Sequence, residues 1–308
     1  MSWNEDALHR WLFRRARGTA PRVSLDFGND AAVLARTLRR PVVCVDQVVE
    51  GVHFEAGAKA RAVGHKACAR ALSDLAASAA QPRAVLLALR APREAEEAWL
   101  RGAITAVDAT ARKFGAQLVA GDTSCARGPL ALTVTAIGEL SAARHLSRKH
   151  ARAGQVLVAT GPFGGSLLGR HLKIEARVAA GRWLATLGAT AMMDVSDGLA
   201  LDVWRLARAS EVAIDIGHVP IHRDARRAAR ASGRSALQHA LYDGEDHELI
   251  ATLPQSAVLR ALREAPRHCR DFALLGNVRR GAGLRVPRDE ASDVLVPHRG
   301  AGGWLHGA

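Results

Sequence analysis

Acidic residues set beside small residues form the most chemically suggestive pattern in this chain of 308 residues. They fall in six short motifs: GNDAAVL (28–34), CVDQVVEGVHF (44–54), LSDLAA (72–77), VAGDTS (119–124), MDVSDG (193–198) and YDGEDHEL (242–249). Hard cations such as Mg²⁺ prefer carboxylate oxygens and bridging phosphates as ligands. Metal-assisted phosphoryl transfer needs several such carboxylates, because substrate, nucleotide and transition state are all anionic. The set as a whole therefore indicates a site for that chemistry.

Each motif taken alone also has a structural interpretation. Ser196 suits the N-cap of a helix that begins near Gly198, and Asp202 suits a structural position in that helix. Asp74 is compatible with a solvated helix face, and AGDTS with an ordinary turn. For any single motif this interpretation is at least as good as a functional one. For six motifs in one chain, a purely structural interpretation of the whole set is much weaker.

The segment GPFGGS (161–166) is a glycine-rich turn that follows a predicted strand. Such a loop can present backbone N–H groups to a phosphate. It lacks the lysine of a P-loop and does not match the dinucleotide-binding GxGxxG pattern. A tight turn between a strand and a helix is an equally good interpretation, so the segment leaves both open.

Predicted strands and helices alternate along the chain and must position these motifs. The predicted strands are 41–54, 84–90, 116–120, 129–140, 156–160, 213–217 and 248–253, and the predicted helices are 4–17, 63–80, 94–114 and those within 223–240. This alternation predicts α/β or α+β layering. The polar, basic stretch 147–155 separates two similar blocks, so we expect domains at 1–146 and 147–308. The C-terminal end reads as a tail rich in glycine and proline.

Composition limits the class of protein further. The formal net charge of the chain is +13. Its basic residues are almost all arginine and are spread along the sequence. A basic nucleic-acid-binding protein is therefore one alternative, although no groove-reading or RNA-binding motif accompanies the charge and six carboxylate motifs would repel a phosphate backbone. No membrane-spanning segment or secretory signal is apparent. The four scattered cysteines predict no disulfide framework or zinc site, and a reducing cytoplasm is expected.

As an ordered set, the motifs resemble thiamine-monophosphate kinase, a member of the superfamily of aminoimidazole ribonucleotide synthetase and selenophosphate synthetase. EGVHF (50–54), SDLAA followed by Pro82, and DVSDG with GED downstream carry the resemblance, which extends over nearly the whole chain. It implies two α/β domains, with the N-terminal domains pairing in a homodimer through a β-barrel-like interface. It also implies transfer of the γ-phosphoryl group of ATP to thiamine monophosphate, giving thiamine diphosphate and ADP, with several Mg²⁺ ions bridging the phosphates.

The resemblance assigns roles only at matching residues. The implied magnesium ligands are Asp30, Asp46, Asp74, Asp122 and Asp194, with Asp197 holding a further ion. Those implied to contact ATP are Gly121, Asp122, Arg148 and Ser196, and those implied to hold thiamine phosphate are His53, Glu245 and Trp304. Arg148 also suits a solvent-exposed linker, His53 a half-buried strand end, and Trp304 a packed tail. The reaction needs no strong general base, because the acceptor is an ionised phosphate, so positioning and charge neutralisation do the chemistry.

Several positions depart from the family pattern. Asn29 replaces an aspartate, Cys44 and Val45 stand where a hydroxyl residue is usual, Ala71 replaces an asparagine, and Asp243 replaces a glycine. These changes touch the edge of the predicted metal site and the substrate side. A kinase for thiamine monophosphate remains the first interpretation. A relative that binds ATP but acts on another small phosphorylated or amidine substrate is the second.

Overall fold

The computed structural model describes residues 40–140 and 145–287, together with Leu8, Trp11 and three pairs of residues at 23–24, 33–34 and 294–295. The chain divides into two compact units. The first holds Met1–Leu75, Ala80–Ala143 and Leu172–Ile174, and the second holds Ala76–Ala79, Arg144–His171 and Glu175–Ala308. The boundary predicted from sequence, between residues 146 and 147, lies three residues from the division at Ala143.

The first unit is built on a four-stranded sheet. Its strands run in the order β3-β6-β4-β5, and they are β3 (Pro41–Val49), β4 (Gln81–Ala91), β5 (Gln117–Cys125) and β6 (Ala131–Glu139). The pair β4 and β5 is parallel, joined by helix α2 (Glu97–Lys113), and the other pairs are antiparallel. Helix α1 (Ala60–Ala77) belongs to this unit from its first residue as far as Leu75. Strand β1 (Val23–Ser24) pairs with β2 (Val33–Leu34) in a small separate sheet.

One face of the four-stranded sheet is buried and the other is open. Along β6, Leu132, Val134 and Ala136 are buried, whereas Thr133 and Thr135 between them are half-exposed. Successive side chains of a strand point to opposite faces, so this alternation distinguishes the two faces of the sheet. The face of the sheet to which a side chain points therefore follows from the position of its residue along the strand.

The second unit is built on a seven-stranded sheet, with strands in the order β13-β12-β9-β11-β7-β10-β8. Among the strands that the structure describes in this unit, β9 and β12 pair in parallel and the other pairs are antiparallel. Its strands are β7 (Val156–Ala159), β8 (Ala191–Asp194), β9 (Ala213–Ile216), β10 (Leu249–Leu253), β11 (Ala273–Arg279), β12 (Gly283–Val286) and β13 (Val294–Leu295). Its helices are α3 (Val178–Thr186), α4 (Leu199–Ala209), α5 (Arg223–Ser232), α6 (Ala236–Tyr242) and α7 (Gln255–Glu264).

Most predicted elements are confirmed, and the main difference lies in the C-terminal region. The two sheets and their helices confirm mixed α and β layering, and the prevalence of antiparallel pairs places the chain nearer α+β than α/β. The predicted C-terminal tail instead contributes α7, β11 and β12 to the second unit. The predicted helix 4–17 lies outside the described residues except at Leu8 and Trp11, which are helical. None of the described helices has the length and apolar character needed to cross a bilayer.

Candidate functional site

Two of the predicted metal ligands in the first unit lie on opposite faces of its sheet. Asp46 on β3 pairs with buried Val134 of β6, so it faces the side covered by α1. Asp122 on β5 pairs with exposed Ala88 of β4, so it faces the open side. The strands that carry them are the two edges of the sheet, three strand spacings or roughly 14 Å apart. The structure therefore does not bring Asp46 and Asp122 to one ion.

An arginine that the sequence analysis did not identify holds Asp46. Arg70 on α1 donates from Nε to Oδ2 of Asp46 at 2.9 Å and from Nη2 to Oδ1 at 3.2 Å. The backbone N–H of Gln47 also donates to Oδ1, at 2.7 Å. The Arg70 side chain is 11% exposed and that of Asp46 is 22% exposed. The carboxylate thus accepts three hydrogen bonds in a partly buried ion pair.

The positions that depart from the family pattern beside Asp46 are explained by the same packing. Cys44 lies two residues earlier on the same face of β3, and its Sγ donates to the carbonyl of Ala71 at 3.1 Å. Ala71 is fully buried, so its small side chain allows α1 to approach the strand closely. Val45 points to the other face and is 62% exposed. Its side chain is therefore directed away from the Asp46 carboxylate.

Asp122 opens into a cavity of about 310 Å³ on the open face of the sheet. Polar and charged side chains from four strands line this cavity, including Gln47, Arg90, Ser124 and Thr133. Gln47 and Thr133 are tied together by a hydrogen bond of 2.8 Å. Gly121 has a packing role beside it, since a Cβ there would lie 2.3 Å from the carbonyl oxygen of Leu87. Asp122 is more exposed than Asp46 and Asp74, the other two predicted acids of this unit that the structure describes.

His53 closes a tight turn after β3. Its Nδ1 accepts a hydrogen bond from the backbone N–H of Val49 at 3.1 Å, and its ring is half-buried. The buried ammonium group of Lys66 on α1 donates to the His53 carbonyl at 2.6 Å. Lys66, Arg70 and Asp74 follow one another at spacings of four residues, so they share one face of the helix. Asp74 is half-buried on that face.

In the second unit, two loops that carry predicted site residues run side by side. The backbone N–H of Glu245 donates to the carbonyl of Ser196 at 2.7 Å, and that of His247 donates to Val195 at 2.8 Å. Asp194, at the end of β8, pairs in register with Leu249 at the start of β10. The structure therefore brings together Asp194, Ser196, Asp197 and Glu245.

A buried histidine links two of these carboxylates. His247 Nδ1 lies 3.2 Å from Oδ2 of Asp194, and its Nε2 lies 3.3 Å from Oε2 of Glu245. These two acids raise the pKa of His247 to about 9 although burial opposes the charge. Both Glu245 and His247 adopt positive φ angles, of 66° and 52°, which are uncommon for residues other than glycine. Backbone of this kind is held in place by its surroundings and is frequent at functional sites.

Asp202 organises the turn between β8 and α4. Its Oδ2 accepts hydrogen bonds from the backbone N–H groups of Ser196 and Asp197, both at 3.0 Å. Arg205 donates to Oδ1 of Asp202 at 2.8 Å and also pairs with Asp197. The Asp202 side chain is fully buried, and burial raises its pKa to about 7. The structural role expected for Asp202 is thus confirmed, and the Asp197 carboxylate is held by a guanidinium.

The glycine-rich loop 161–166 uses its backbone N–H groups within the protein. Gly164 donates to both oxygens of Asp246 at 3.0 Å, and Gly165 donates to Oδ2 of Asp243 at 3.1 Å. A Cβ on Gly164 would lie 2.6 Å from the Cα of Ala240. Of the two interpretations of this loop, the structure therefore supports the tight turn. It also gives Asp243, a departure from the family pattern, a clear structural role.

Of the remaining predicted residues, Arg148 lies apart from these networks. Arg148 has an exposed side chain, and its carbonyl accepts a hydrogen bond from Ser210 at 2.8 Å. Asp30 and Trp304 lie outside the described residues, as does Asn29.

The carboxylates fit a magnesium ion to different degrees. Over the described ranges, no group of three or more His, Cys, Asp or Glu side chains is arranged to hold a metal. Mg²⁺, however, usually keeps several waters and binds through one or two carboxylates plus substrate phosphates. Asp122, open to the cavity, fits that mode. Asp46 and Asp197 do not fit it in this arrangement, because each is engaged by an arginine.

Sequence reasoning missed the cations that hold these acids, namely Arg70, Arg205 and His247. The spacing of four residues from Lys66 to Arg70 to Asp74 indicated only that these side chains share one helix face. It did not identify Asp46 as the partner of Arg70. Arg205 lies three residues after Asp202, a spacing that places two side chains on one helix face.

Comparisons with known proteins agree with the motifs. Residues 28–140 match the family model of the AIR synthase related protein, N-terminal domain. The chain is 36% identical over 252 residues to a thiamine-monophosphate kinase of Rhodopirellula baltica, covering 78% of this chain and 79% of that one.

Solved structures agree as well. The thiamine-monophosphate kinase from Stenotrophomonas maltophilia K279a superposes with a TM-score of 0.75 at 31% identity, covering 92% of this chain and 96% of that one. The structure of AaThiL complexed with AMPPCP and TMP superposes with a TM-score of 0.72 at 26% identity, covering 82% and 86%. From the identity and coverage of these relatives, the chain belongs to the thiamine-monophosphate kinase family.

Proposed function

We propose that this protein transfers the γ-phosphoryl group of ATP to the phosphate of thiamine monophosphate, releasing thiamine diphosphate and ADP. The cavity on the open face of the first unit, with Asp122 and Arg90 in its lining, is the observation that carries the proposal. It joins a carboxylate able to hold a phosphate-bound cation with a guanidinium suited to phosphate oxygens. Family membership supports the same reaction, since AaThiL is complexed with the ATP analogue AMPPCP and with TMP.

Magnesium is part of this proposal. We propose that Asp122 holds Mg²⁺ together with the substrate phosphates, and that Asp30, Asp74 and Asp194 are ligands of separate ions. When bound, the ion neutralises charge on the transferring phosphoryl group and orients it for in-line displacement. Asp46 and Asp197 are assigned to protein cations in the resting protein.

The chain's own residues position two anions and stabilise their charge. The acceptor phosphate is ionised near neutral pH, so no side chain needs to remove a proton from it. Arg148, exposed on the second unit, supplies a planar donor for ATP phosphates, and Ser196 a hydroxyl near the nucleotide. His53 and Glu245 orient thiamine monophosphate. Catalysis is then mainly positioning and electrostatic stabilisation.

A discontinuous assay tests this function. Purified protein is incubated with Mg-ATP and thiamine monophosphate, and thiamine diphosphate is resolved by chromatography, with the variant Asp74→Asn beside the wild type. We expect product that depends on Mg²⁺ and is lost in the variant. Absence of product from folded wild-type protein would refute the proposal, and ATP binding without product would point to another acceptor.

We propose also that two copies associate through the open face of the four-stranded sheet. Val43 and Val45 on edge strand β3 are 63% and 62% exposed, an unusual exposure for adjacent outward positions of one strand. Exposed apolar surface of this kind is typical of protein interfaces. Sedimentation should show a dimer for wild-type protein and a monomer for Val45→Lys. A wild-type monomer at micromolar concentration would contradict the proposal.

A further inference from the structure

The position of Arg70 carries an inference about the metal requirement of the proposed reaction. The resemblance assigns a magnesium ion to Asp46, yet the structure places a guanidinium on that carboxylate. We propose that Arg70 replaces a metal ion at Asp46, giving this chain a permanent organic cation at that position. The inference rests on the proposed function, because the resemblance counts Asp46 among the magnesium ligands of that reaction.

The contact geometry supports replacement rather than incidental proximity. Two different nitrogens of Arg70 reach the two different oxygens of Asp46, the paired arrangement in which guanidinium and carboxylate match best. Gln47 N–H occupies a further lone pair on Oδ1. An ion approaching Asp46 must therefore displace a charge-assisted pair before it can coordinate.

The burial of the pair makes that displacement unfavourable. At 11% exposure the Arg70 side chain is largely removed from water, so breaking the pair leaves a partly buried charge without its partner. Removing one member of a buried pair is strongly unfavourable, because the other charge is left without compensation. Arginine, unlike lysine, also keeps its charge at every accessible pH.

Neighbouring residues fix Arg70 in this position. The hydrogen bond from Cys44 to the Ala71 carbonyl joins β3 to α1. Ala71 follows Arg70 directly on the helix, and Cys44 lies two residues before Asp46 on the same face of the strand. Lys66, one turn earlier on α1, joins the same helix face to the His53 carbonyl. The strand and helix are thus held together on both sides of the ion pair. The departures at positions 44 and 71 are part of the same arrangement.

Metal titration of four proteins tests the inference. Mn²⁺ binding is followed from the loss of the free-ion signal in electron paramagnetic resonance, for wild type, Asp46→Asn, Arg70→Met and the double variant. Because Arg70 already occupies Asp46, Asp46→Asn should change Mn²⁺ affinity by less than twofold. Arg70→Met should bind Mn²⁺ at least tenfold more tightly or take up one more ion, and the double variant should lose that gain.

Two results would overturn the inference: weaker Mn²⁺ binding in Asp46→Asn, or no gain in folded Arg70→Met. Thermal unfolding of each protein establishes that it is folded. If Arg70→Met does not fold, Asp46→Asn still decides. Formation of thiamine diphosphate is measured separately, so failure of the proposed function is distinguishable from failure of this inference.

Discussion

Asp122 of the first unit and the buried Asp202 and Asp246 of the second unit do different work. Asp122 in the first unit lies on an exposed strand and faces a polar cavity. Asp202 and Asp246 in the second unit have fully buried side chains. Asp202 accepts from two backbone N–H groups of a turn and Asp246 from one, and each also binds an arginine. The comparison shows that acidic motifs which look alike in sequence divide into acids available to a ligand and acids that hold loops.

The difference has a physical cause. An ionised carboxylate without water needs several donors to offset its desolvation, and the second unit supplies them from its own turns and arginines. A carboxylate that must receive a ligand has to remain accessible, so its partners come with the substrate. Asp194 is intermediate between the two kinds of acid. Its side chain is buried, and it is paired with His247, which lies beside the turn.

The largest expected effect is on stability, from Asp202→Ala. This change leaves two turn N–H groups and Arg205 without their acceptor in a buried setting. We expect a loss of about 3–5 kcal/mol in the free energy of unfolding, measured by chemical denaturation.

A matched control is Asp215→Ala in the same unit. Asp215 on β9 pairs with Arg279, whose side chain is 58% exposed, so this is a surface ion pair. Its loss should cost at most about 1 kcal/mol. Equal losses from the two variants would contradict the distinction between loop-holding and surface acids.

A smaller effect is expected from His247→Gln. The imidazole connects Asp194 to Glu245 through its two ring nitrogens, which one side-chain amide cannot reproduce at both acids. We expect KM for thiamine monophosphate to rise about tenfold, or about 1.4 kcal/mol of binding, with KM for ATP nearly unchanged. Steady-state kinetics with each substrate varied in turn measures this split. A parallel rise in both KM values would indicate a general structural role instead.

A further effect expected in the second unit is a pH dependence of stability from Asp246. Burial raises its pKa to about 7 from an ordinary 3.8, although Arg170 and the Gly164 N–H act in the opposite direction. Because folding raises this pKa, the contribution of Asp246 to stability is full below about pH 4 and is lost as the pH rises through 7. The stability of wild type relative to Asp246→Asn should therefore fall over that range in urea titrations. A difference independent of pH would show that Arg170 keeps the carboxylate ionised.

Much of this arrangement is predictable from the sequence. The rest is not predictable, and the reasons can be identified. Strand β6 and helix α2 follow from periodicity, and the convergence of the DVSDG and GED motifs follows from their places at the ends of strands. The pairing of Asp46 with Arg70 links residues 24 positions apart, and local patterns carry no information on such a contact. The opposite faces of Asp46 and Asp122 depend on sheet register, which the alternation within one strand cannot fix.

The second unit also shows where local composition misleads. The glycines of 161–166 suggested a phosphate loop, but Asp243 and Asp246, about 80 residues later, take up its N–H groups. The C-terminal end reads as a tail because glycine and proline punctuate it, while β11 and β12 are stabilised by pairing with β7 and β9. Tertiary pairing, rather than propensity, determines these elements.

The most direct test of the account compares Asp122→Asn with Asp202→Asn in one experiment, measuring thiamine diphosphate formation and thermal unfolding on the same preparations. If Asp122 serves the ligands and Asp202 serves the fold, Asp122→Asn should lose at least about a hundredfold in kcat/KM, or about 2.7 kcal/mol, with its unfolding temperature unchanged. Asp202→Asn should unfold at a clearly lower temperature. An Asp122→Asn protein that keeps full activity, or one that loses activity only because it unfolds, would contradict the account.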